Sequence, residues 1–425
     1  MNILFVSGHL PSPKARQAGQ KVSYQLCRFL ARRHRVDLLS FATATESEDW
    51  DPAAMDVFAT REVVPITMAA RFLGLAVAPR LPLAVAARNK RSFRTAISTT
   101  GRANRPDVIL FDNMPMWQYA GDVRSGVLRV GIAQDVLSQL WTRKADNWRG
   151  LGAFAARAEA RRLRRWQTST LRKLDLVCAL SDKDSQLLSA LEQGVRQCVL
   201  QPWFSRPSGT SLSPADKQDN SIVFAGAFDR RENVDAVVFA ATEILPRVAA
   251  QFPQCAFHLA GAACEKLPKQ IVQRPGVRVE GFVPDLQAYL SRVQVALLPL
   301  RLGAGIKIKV LEAMVAGLAV VTTPVGAEGI EAQDGVHFLV GTRAEELARH
   351  TIVLLQNPGV RAQMGERARE FIQSNYDFER SARNFEWTLL ELLNERQSRV
   401  LRAGGLASRD EAALCTPHRG QVRGG

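Results

Sequence analysis

Short apolar runs rich in β-branched residues alternate along this chain with longer stretches of helical periodicity. The runs at 3–7, 36–41, 108–111, 128–132 and 176–180 read as strands. Between the first two, Val22, Leu26, Phe29 and Leu30 fall at i, i+4, i+7 and i+8 of segment 20–33, one face of a helix. A polar stretch rich in Pro, Gly and Ser then intervenes at 205–220, and the alternation restarts at 222–225, 256–260, 277–280, 295–298, 319–322 and 337–340. Two successive βα series predict an α/β protein of two doubly wound sheets, each covered by helices on both faces. Ligands of such sheets bind at the carboxyl ends of the strands, so the site is expected in a cleft between two facing sheets. The boundaries read as a first domain at 1–203, a linker at 204–220, a second domain at 221–376 and a helix at 377–397 returning toward the first domain. The tail 398–425 lacks apolar periodicity and is expected to be disordered.

With 425 residues, 46% of them hydrophobic and 23% charged, the chain is long enough for two cores and unlike a low-complexity protein. Its six Cys form no C-x-x-C and sit near no His at metal spacing, which argues against a disulfide framework and predicts no metal site. The opening Met-Asn-Ile-Leu-Phe-Val turns polar at Ser7, unlike a signal peptide. The most apolar later stretch, 72–87, contains Arg80 and is broken by Pro79 and Pro82, too short to span a bilayer. A cytoplasmic protein is expected. Net charge is +15 and uneven: residues 1–200 carry 30 Lys and Arg against 17 Asp and Glu. A basic half suits nucleic acid, an anionic membrane face or phosphate-bearing ligands alike. No RNP-like, zinc-finger or helix-turn-helix pattern accompanies it, so nucleic acid is not expected as a partner.

The most informative segment, 298–314, runs strand, glycine loop, helix. Gly303 and Gly305 let the backbone approach a ligand, and the helix that follows offers unpaired N–H groups to an anion. Arg301, Lys307 and Lys309 add cations where the helix dipole alone would favour acidic side chains, which points to an anionic ligand such as phosphate. Glu312 could accept hydrogen bonds from vicinal hydroxyls such as those of a ribose.

Gly-Ala-Gly-Ile-Lys-Ile-Lys-Val-Leu-Glu-Ala-Met from Gly303, with Gly317, 320–323 and Gly326-Ala327-Glu328-Gly329, resembles the nucleotide-sugar loop of the family 4 (group 1) glycosyltransferases of the GT-B fold. The likeness extends to 224–229, 233–236, 281–285 and Tyr376, which resemble a subgroup acting in polysaccharide and glycoconjugate assembly. It also covers Ser7-Gly8-His9-Leu10-Pro11 to Gly19, 134–138, 159–165 and 179–181. It implies a retaining, hexosyltransferase-type enzyme that needs no cofactor. The donor would be a UDP- or GDP-linked sugar and the acceptor a saccharide or lipid-linked saccharide. The resemblance puts Lys307, Lys309 and Glu312 at the reacting end and Gly19, Gly226, Phe282, Arg301, Gly303, Ala304, Gly305 and Ile306 around the donor. His9, Gln134 and Asp135 fall on the acceptor or sugar side.

The sequence departs from the pattern at three places, one being the basic pair often found after the first strand of the second domain, where 226–233 reads Gly-Ala-Phe-Asp-Arg-Arg-Glu-Asn. Glu312 matches the second glutamate of the family's E-x7-E pair, but the first would fall at Ala304. Gln134 stands where many relatives carry His, keeping a neutral hydrogen-bonding role without the charge. Asp135 reads as a helix N-cap before it reads as a participant. These departures keep open a non-catalytic nucleotide-sugar binder or assembly scaffold. The basic clusters at 88–94 and 157–173, beside Phe72, Leu73, Leu75 and Leu83, suit peripheral docking at the inner face of the cell membrane on anionic lipid, or a merely solvated basic surface.

Overall fold

The computed structural model describes residues 1–15, 17–48, 50–207 and 220–413, with only the backbone at Ala53 and from 400 onward. The expected two parallel sheets are present. The first has seven strands: β1 (Asn2–Ser7), β2 (Arg35–Ala42), β3 (Arg61–Pro65), β4 (Val108–Asp112), β5 (Leu128–Ala133), β6 (Leu176–Ala179) and β7 (Arg196–Val199). They lie in the order β3-β2-β1-β4-β5-β6-β7, every pair parallel. The second has six: β8 (Ser221–Ala225), β9 (Ala256–Ala260), β10 (Val277–Gly281), β11 (Val295–Leu298), β12 (Ala319–Thr322) and β13 (Leu339–Val340). Their order is β10-β9-β8-β11-β12-β13, again all parallel.

Because crossover helices cover both faces of a parallel sheet, its central strands are apolar at every position. In β1, Ile3 and Phe5 enter one core while Leu4 and Val6 enter another on the opposite face, and all four are fully buried. Winding reverses between β1 and β4 and again between β8 and β11, so a crevice opens beyond the carboxyl ends of each of these strand pairs.

Residues 208–219, most of the expected linker, lie outside the described residues. The long helix Phe378–Ala413 packs on the first domain through Arg32–Glu379 (3.0 Å), His34–Glu386 (2.8 Å) and Arg196–Glu395 (2.9 Å). It passes Gln397, where the sequence suggested that order ends. Good helix formers such as Leu401, Ala403, Leu406 and Ala407 extend it across Gly404 and Gly405. Residues 414–425 lie outside the described residues. Among the described residues no helix is long and apolar enough to cross a membrane.

Candidate active site

A cleft of about 840 Å³ lies between the two sheets. On the first domain's side it is lined by the loop after β1, the first turn of helix Ala18–Ala31, the end of β4 and the turn after β5. On the second domain's side it is lined by the turns after β8, β9 and β10, the loop after β11 and helix Ile308–Val315. His9, Gly19, Gln134, Asp135, Gly226, Phe282, Gly303, Ala304, Ile306, Lys307, Lys309 and Glu312 all line it. Twelve residues scattered from 9 to 312 in sequence therefore meet in one crevice.

Two others do not line it. Arg301 turns away over helix Arg231–Phe239, paired with Asp235 (2.7 and 3.1 Å) and stacked 4.4 Å above the Phe239 ring. Its charge is therefore engaged outside the cleft, contrary to the expected donor contact. Gly305 has φ +71°, and a Cβ there would lie 2.6 Å from the Gln134 carbonyl oxygen and 3.1 Å from Asp135 Cβ. Its freedom from a side chain lets the β11 loop press on the first domain, and no larger residue fits.

Lys309 stands at the turn after β8. Its Nζ donates to Asn233 Oδ1, sits 5.0 Å above the Phe224 ring, and would meet a Cβ at Gly226 at 3.2 Å. Burial, reinforced by the charge of Arg230, lowers this lysine from an ordinary 10.5 to about 7. Lys307 precedes the helix, and its Nζ donates to the Gly305 carbonyl and lies 3.7 Å from Glu328. Burial brings it to about 8. The first turn of helix Ile308–Val315 has no acidic residue and no side-chain cap, so its amide dipoles and two desolvated lysines face the same space. Glu312, one turn further on, accepts from Ser205 Oγ (3.0 Å), and burial raises its carboxyl. Phe282, 62% exposed, forms part of the rim.

On the opposite wall Gln134 is turned inward. Its Nε2 donates to Asp112 (2.9 Å), Ser23 (3.0 Å) and the Gly19 carbonyl (3.4 Å). Asp112, wholly buried at the end of β4, also accepts from Ser7 (2.9 Å) and Ser23 (2.8 Å), and burial raises its carboxyl. The expected sugar contact through the Gln134 amide nitrogen is thus taken up within the first domain. Asp135 is not an N-cap: Val136 caps helix Leu137–Asn147 without a side-chain bond. The Asp135 carboxyl is buried between the domains and raised by that burial.

The residues that sequence reasoning missed are mostly those that join the domains. Glu328 accepts from Arg143 (2.5 and 2.7 Å) and Gln139 (2.9 Å) and lies 3.1 Å from Lys183, all three from the first domain. Burial pushes the Glu328 carboxyl up, but the Arg143 hydrogen bonds with the charges of Lys183, Arg143 and Lys307 outweigh it and hold it at about 2. Arg143 also donates to the Gly303 carbonyl (2.6 Å), tying the β11 loop to the same cluster. Arg230 reaches across to Gln17 (3.3 Å). Only pairing across the cleft gives these residues meaning, and no local pattern signals it.

The basic segment 88–94 does not form one surface. Arg88 points into the cleft, Lys90 Nζ donates to the Pro65 carbonyl (2.7 Å), Phe93 is buried, and Arg94 pairs with Asp122 (2.8 Å).

Residues 219–357 match the family model Glycosyl transferases group 1. Over 170 residues, 38% of this chain and 44% of the other, the sequence is 26% identical to an uncharacterized 44.6 kDa protein in the cps region of Klebsiella pneumoniae. The match thus spans less than half of that relative's length. Sucrose-phosphate synthase of Thermosynechococcus elongatus superposes with a TM-score of 0.68 at 15% identity, over 93% of this chain and 100% of that one. HepE of Anabaena, in complex with UDP, gives 0.64 at 16% identity over 92% and 100%. A TarM variant of S. aureus, in complex with Fondaparinux, alpha-GlcNAc-glycerol and UDP, gives 0.65 at 11% over 93% and 100%. At such identities the likeness to these structures is one of fold. The chain is therefore a protein of the GT-B fold whose residues 219–357 match the Glycosyl transferases group 1 model.

Proposed function

We propose that the protein transfers a sugar, with retention, from a UDP- or GDP-linked donor to a saccharide or lipid-linked acceptor in cell-surface polysaccharide assembly. The observation that carries this reading is Lys309: a desolvated ammonium at the Gly226 turn, three residues before Glu312 on one helix, with the amide end of that helix beside it. This arrangement suits a diphosphate at Lys309 and a ribose at Glu312. The UDP complexes of HepE and TarM support the donor class, and the cps-region relative supports the pathway.

In the proposed reaction the bond from the sugar C1 to the diphosphate oxygen breaks, and the acceptor oxygen bonds to C1 on the same face. The acceptor's proton passes to the departing diphosphate. Charge grows on that diphosphate as the bond breaks, and preorganised cations and amide dipoles in a water-poor cleft stabilise it. Lys309, Lys307 and the start of helix Ile308–Val315 serve this role. Incubation with a panel of UDP- and GDP-sugars tests it: nucleotide release that depends on a saccharide acceptor and falls at least tenfold in Lys309→Ala supports transfer. Binding without release favours the alternative, a non-catalytic nucleotide-sugar binder, for which Ala304 and the inward-turned Gln134 amide speak.

We further propose that the first domain docks on an anionic lipid surface. Met68, Phe72, Leu73 and Val77 on helix Met68–Val77 are 62–72% exposed, and Leu151 and Phe154 on helix Gly150–Leu171 are 89% and 71% exposed. Arg162 of the second helix donates to the Pro79 carbonyl (2.6 Å), just beyond the end of the first, and Arg80, Arg149, Arg157, Arg161 and Arg164 along these segments are exposed. Exposed apolar side chains and arginines on the same segments suit an anionic interface. Flotation with anionic but not neutral vesicles, lost in Phe72→Ser with Phe154→Ser, is expected, and equal behaviour with both vesicle types contradicts docking.

A further inference from the structure

Arg88 takes no part in the proposed transfer step, and its surroundings are unusual. Its backbone is fixed by a hydrogen bond from Arg88 N to the Val85 carbonyl (3.0 Å) and one from Tyr119 Oη to the Arg88 carbonyl (2.5 Å). The guanidinium extends under the loop after β1, where a Cβ on Gly8 would meet its Nε at 3.1 Å. Nη2 contacts His9 Nε2 at 2.7 Å, and His9 Nδ1 contacts Glu46 at 2.9 Å. Burial keeps His9 below its ordinary value and neutral at pH 7, so Nδ1–H donates to Glu46 and Nε2 accepts from Arg88. Glu46 already accepts from Gln20 (2.9 Å), Thr43 N (2.8 Å) and Thr43 Oγ1 (3.0 Å).

Arg88 therefore faces a neutral imidazole instead of a carboxylate. Its Nε is buried without a hydrogen-bond partner among the described residues, and so is the Nε of Arg71. Arg71's charge bears on both Arg88 and His9. Glu46 is the carboxylate hydrogen-bonded to this group, and buried Asp112 also acts on His9, so among the described residues the Nε atoms of two guanidinium groups stay unpaired in a partly desolvated wall of the cleft. A buried guanidinium without an ion partner is costly, and a ligand that supplies the anion resolves that cost.

We infer that Arg88, backed by Arg71 and held by the His9–Glu46 pair, forms an anion subsite on the first domain's wall that binds a phosphate group of the acceptor. The planar fork of Arg88 suits two oxygens of one phosphate. The subsite lies on the domain opposite Lys309, so acceptor phosphate and donor diphosphate are held by different walls. The phosphate can come from a lipid-linked acceptor or from a phosphate carried on a soluble saccharide. The inference rests on the reading of the cleft as a transferase site, but its anion chemistry can be measured separately.

The test is calorimetric titration of the full chain, with and without saturating UDP, using inorganic pyrophosphate, geranyl diphosphate and geraniol as probes. Wild type, Arg88→Gln, Arg88→Lys and Lys309→Ala are compared. Two anion sites are expected: one abolished by UDP and by Lys309→Ala, the other persisting with UDP and weakened at least tenfold in Arg88→Gln, with partial recovery in Arg88→Lys. Geraniol should not bind. Tighter binding of geranyl diphosphate than of pyrophosphate assigns the phosphate to a lipid-linked acceptor, and equal binding assigns it to a soluble one. A single site that UDP abolishes, or equal probe affinity in wild type and Arg88→Gln, overturns the subsite. Loss of UDP affinity in Arg88→Gln also overturns it, because Arg88 would then serve the donor. If UDP itself fails to bind while the Arg88-dependent site remains, the transferase reading fails and the subsite stands.

Discussion

Lys309 gives the account a pH signature. In the free protein burial holds this lysine at about 7, so near neutrality it is charged in only about half of the molecules. A bound diphosphate stabilises the ammonium and returns it toward its ordinary range, so binding takes up a proton. The sign follows: affinity is full below pH 7, where the ammonium is already present, and falls as pH rises through 7. If the complex holds the lysine fully protonated, the dissociation constant weakens about tenfold between pH 6 and pH 8. Proton uptake grows from about 0.1 at pH 6 to about 0.9 at pH 8. The assay is calorimetry with a nucleoside-diphosphate sugar, whose diphosphate diester does not titrate in this range, in buffers of different ionisation enthalpy. Lys309→Arg, charged throughout, should remove that tenfold fall and leave only the shallower one, about twofold by pH 8, that Lys307 at about 8 contributes. A flat wild-type profile, or affinity that rises with pH, would refute the assignment of Lys309 to the diphosphate.

Three further outcomes follow from the same geometry. Wild-type protein should bind UDP about tenfold more tightly than 2′-deoxy-UDP, and Glu312→Gln should lose most of that preference, since hydrogen bonds to a charged group contribute roughly 1.5–3 kcal/mol; equal discrimination in both proteins removes Glu312 from the ribose. Gly305→Ala should lower unfolding free energy by about 1–3 kcal/mol and turnover at least tenfold, because the added Cβ meets the Gln134 carbonyl in a left-handed backbone conformation. Glu328, held at about 2 against an ordinary 4.5, contributes stability that is present above pH 4.5 and is lost as pH falls toward 2. Denaturant titrations at pH 3, 5 and 7 should show Glu328→Gln missing on the order of 3 kcal/mol at pH 7, with a flatter acid limb than wild type.

What the sequence revealed tracks how completely each element is enclosed. The central strands β1, β4, β5, β8, β11 and β12 are buried on both faces and stand out as apolar runs. β3 and β7, at the two edges of the first sheet, begin with exposed Arg61 and Arg196 and are half exposed, so neither leaves an apolar run to read. The glycine loop and Lys309 were legible because strand, loop and helix follow one another within one short segment. Sequence proximity to that loop says nothing about the direction of the Arg301 side chain, which Asp235 and Phe239 draw to the other side. Arg88, Asp112, Arg143 and Glu328 acquire their roles from partners far away in sequence, and burial is what makes their charges significant.

The proposed transfer requires the second domain's loop to hold a nucleoside diphosphate at Lys309, and a crystal structure of the protein soaked with UDP shows whether it does. The diphosphate is expected between the Gly226 turn and the start of helix Ile308–Val315, within hydrogen-bond distance of Lys309 Nζ, with the ribose hydroxyls on Glu312. A diphosphate bound at Arg88 with Lys309 still tied to Asn233, or a cleft without UDP at saturating concentration, would contradict it.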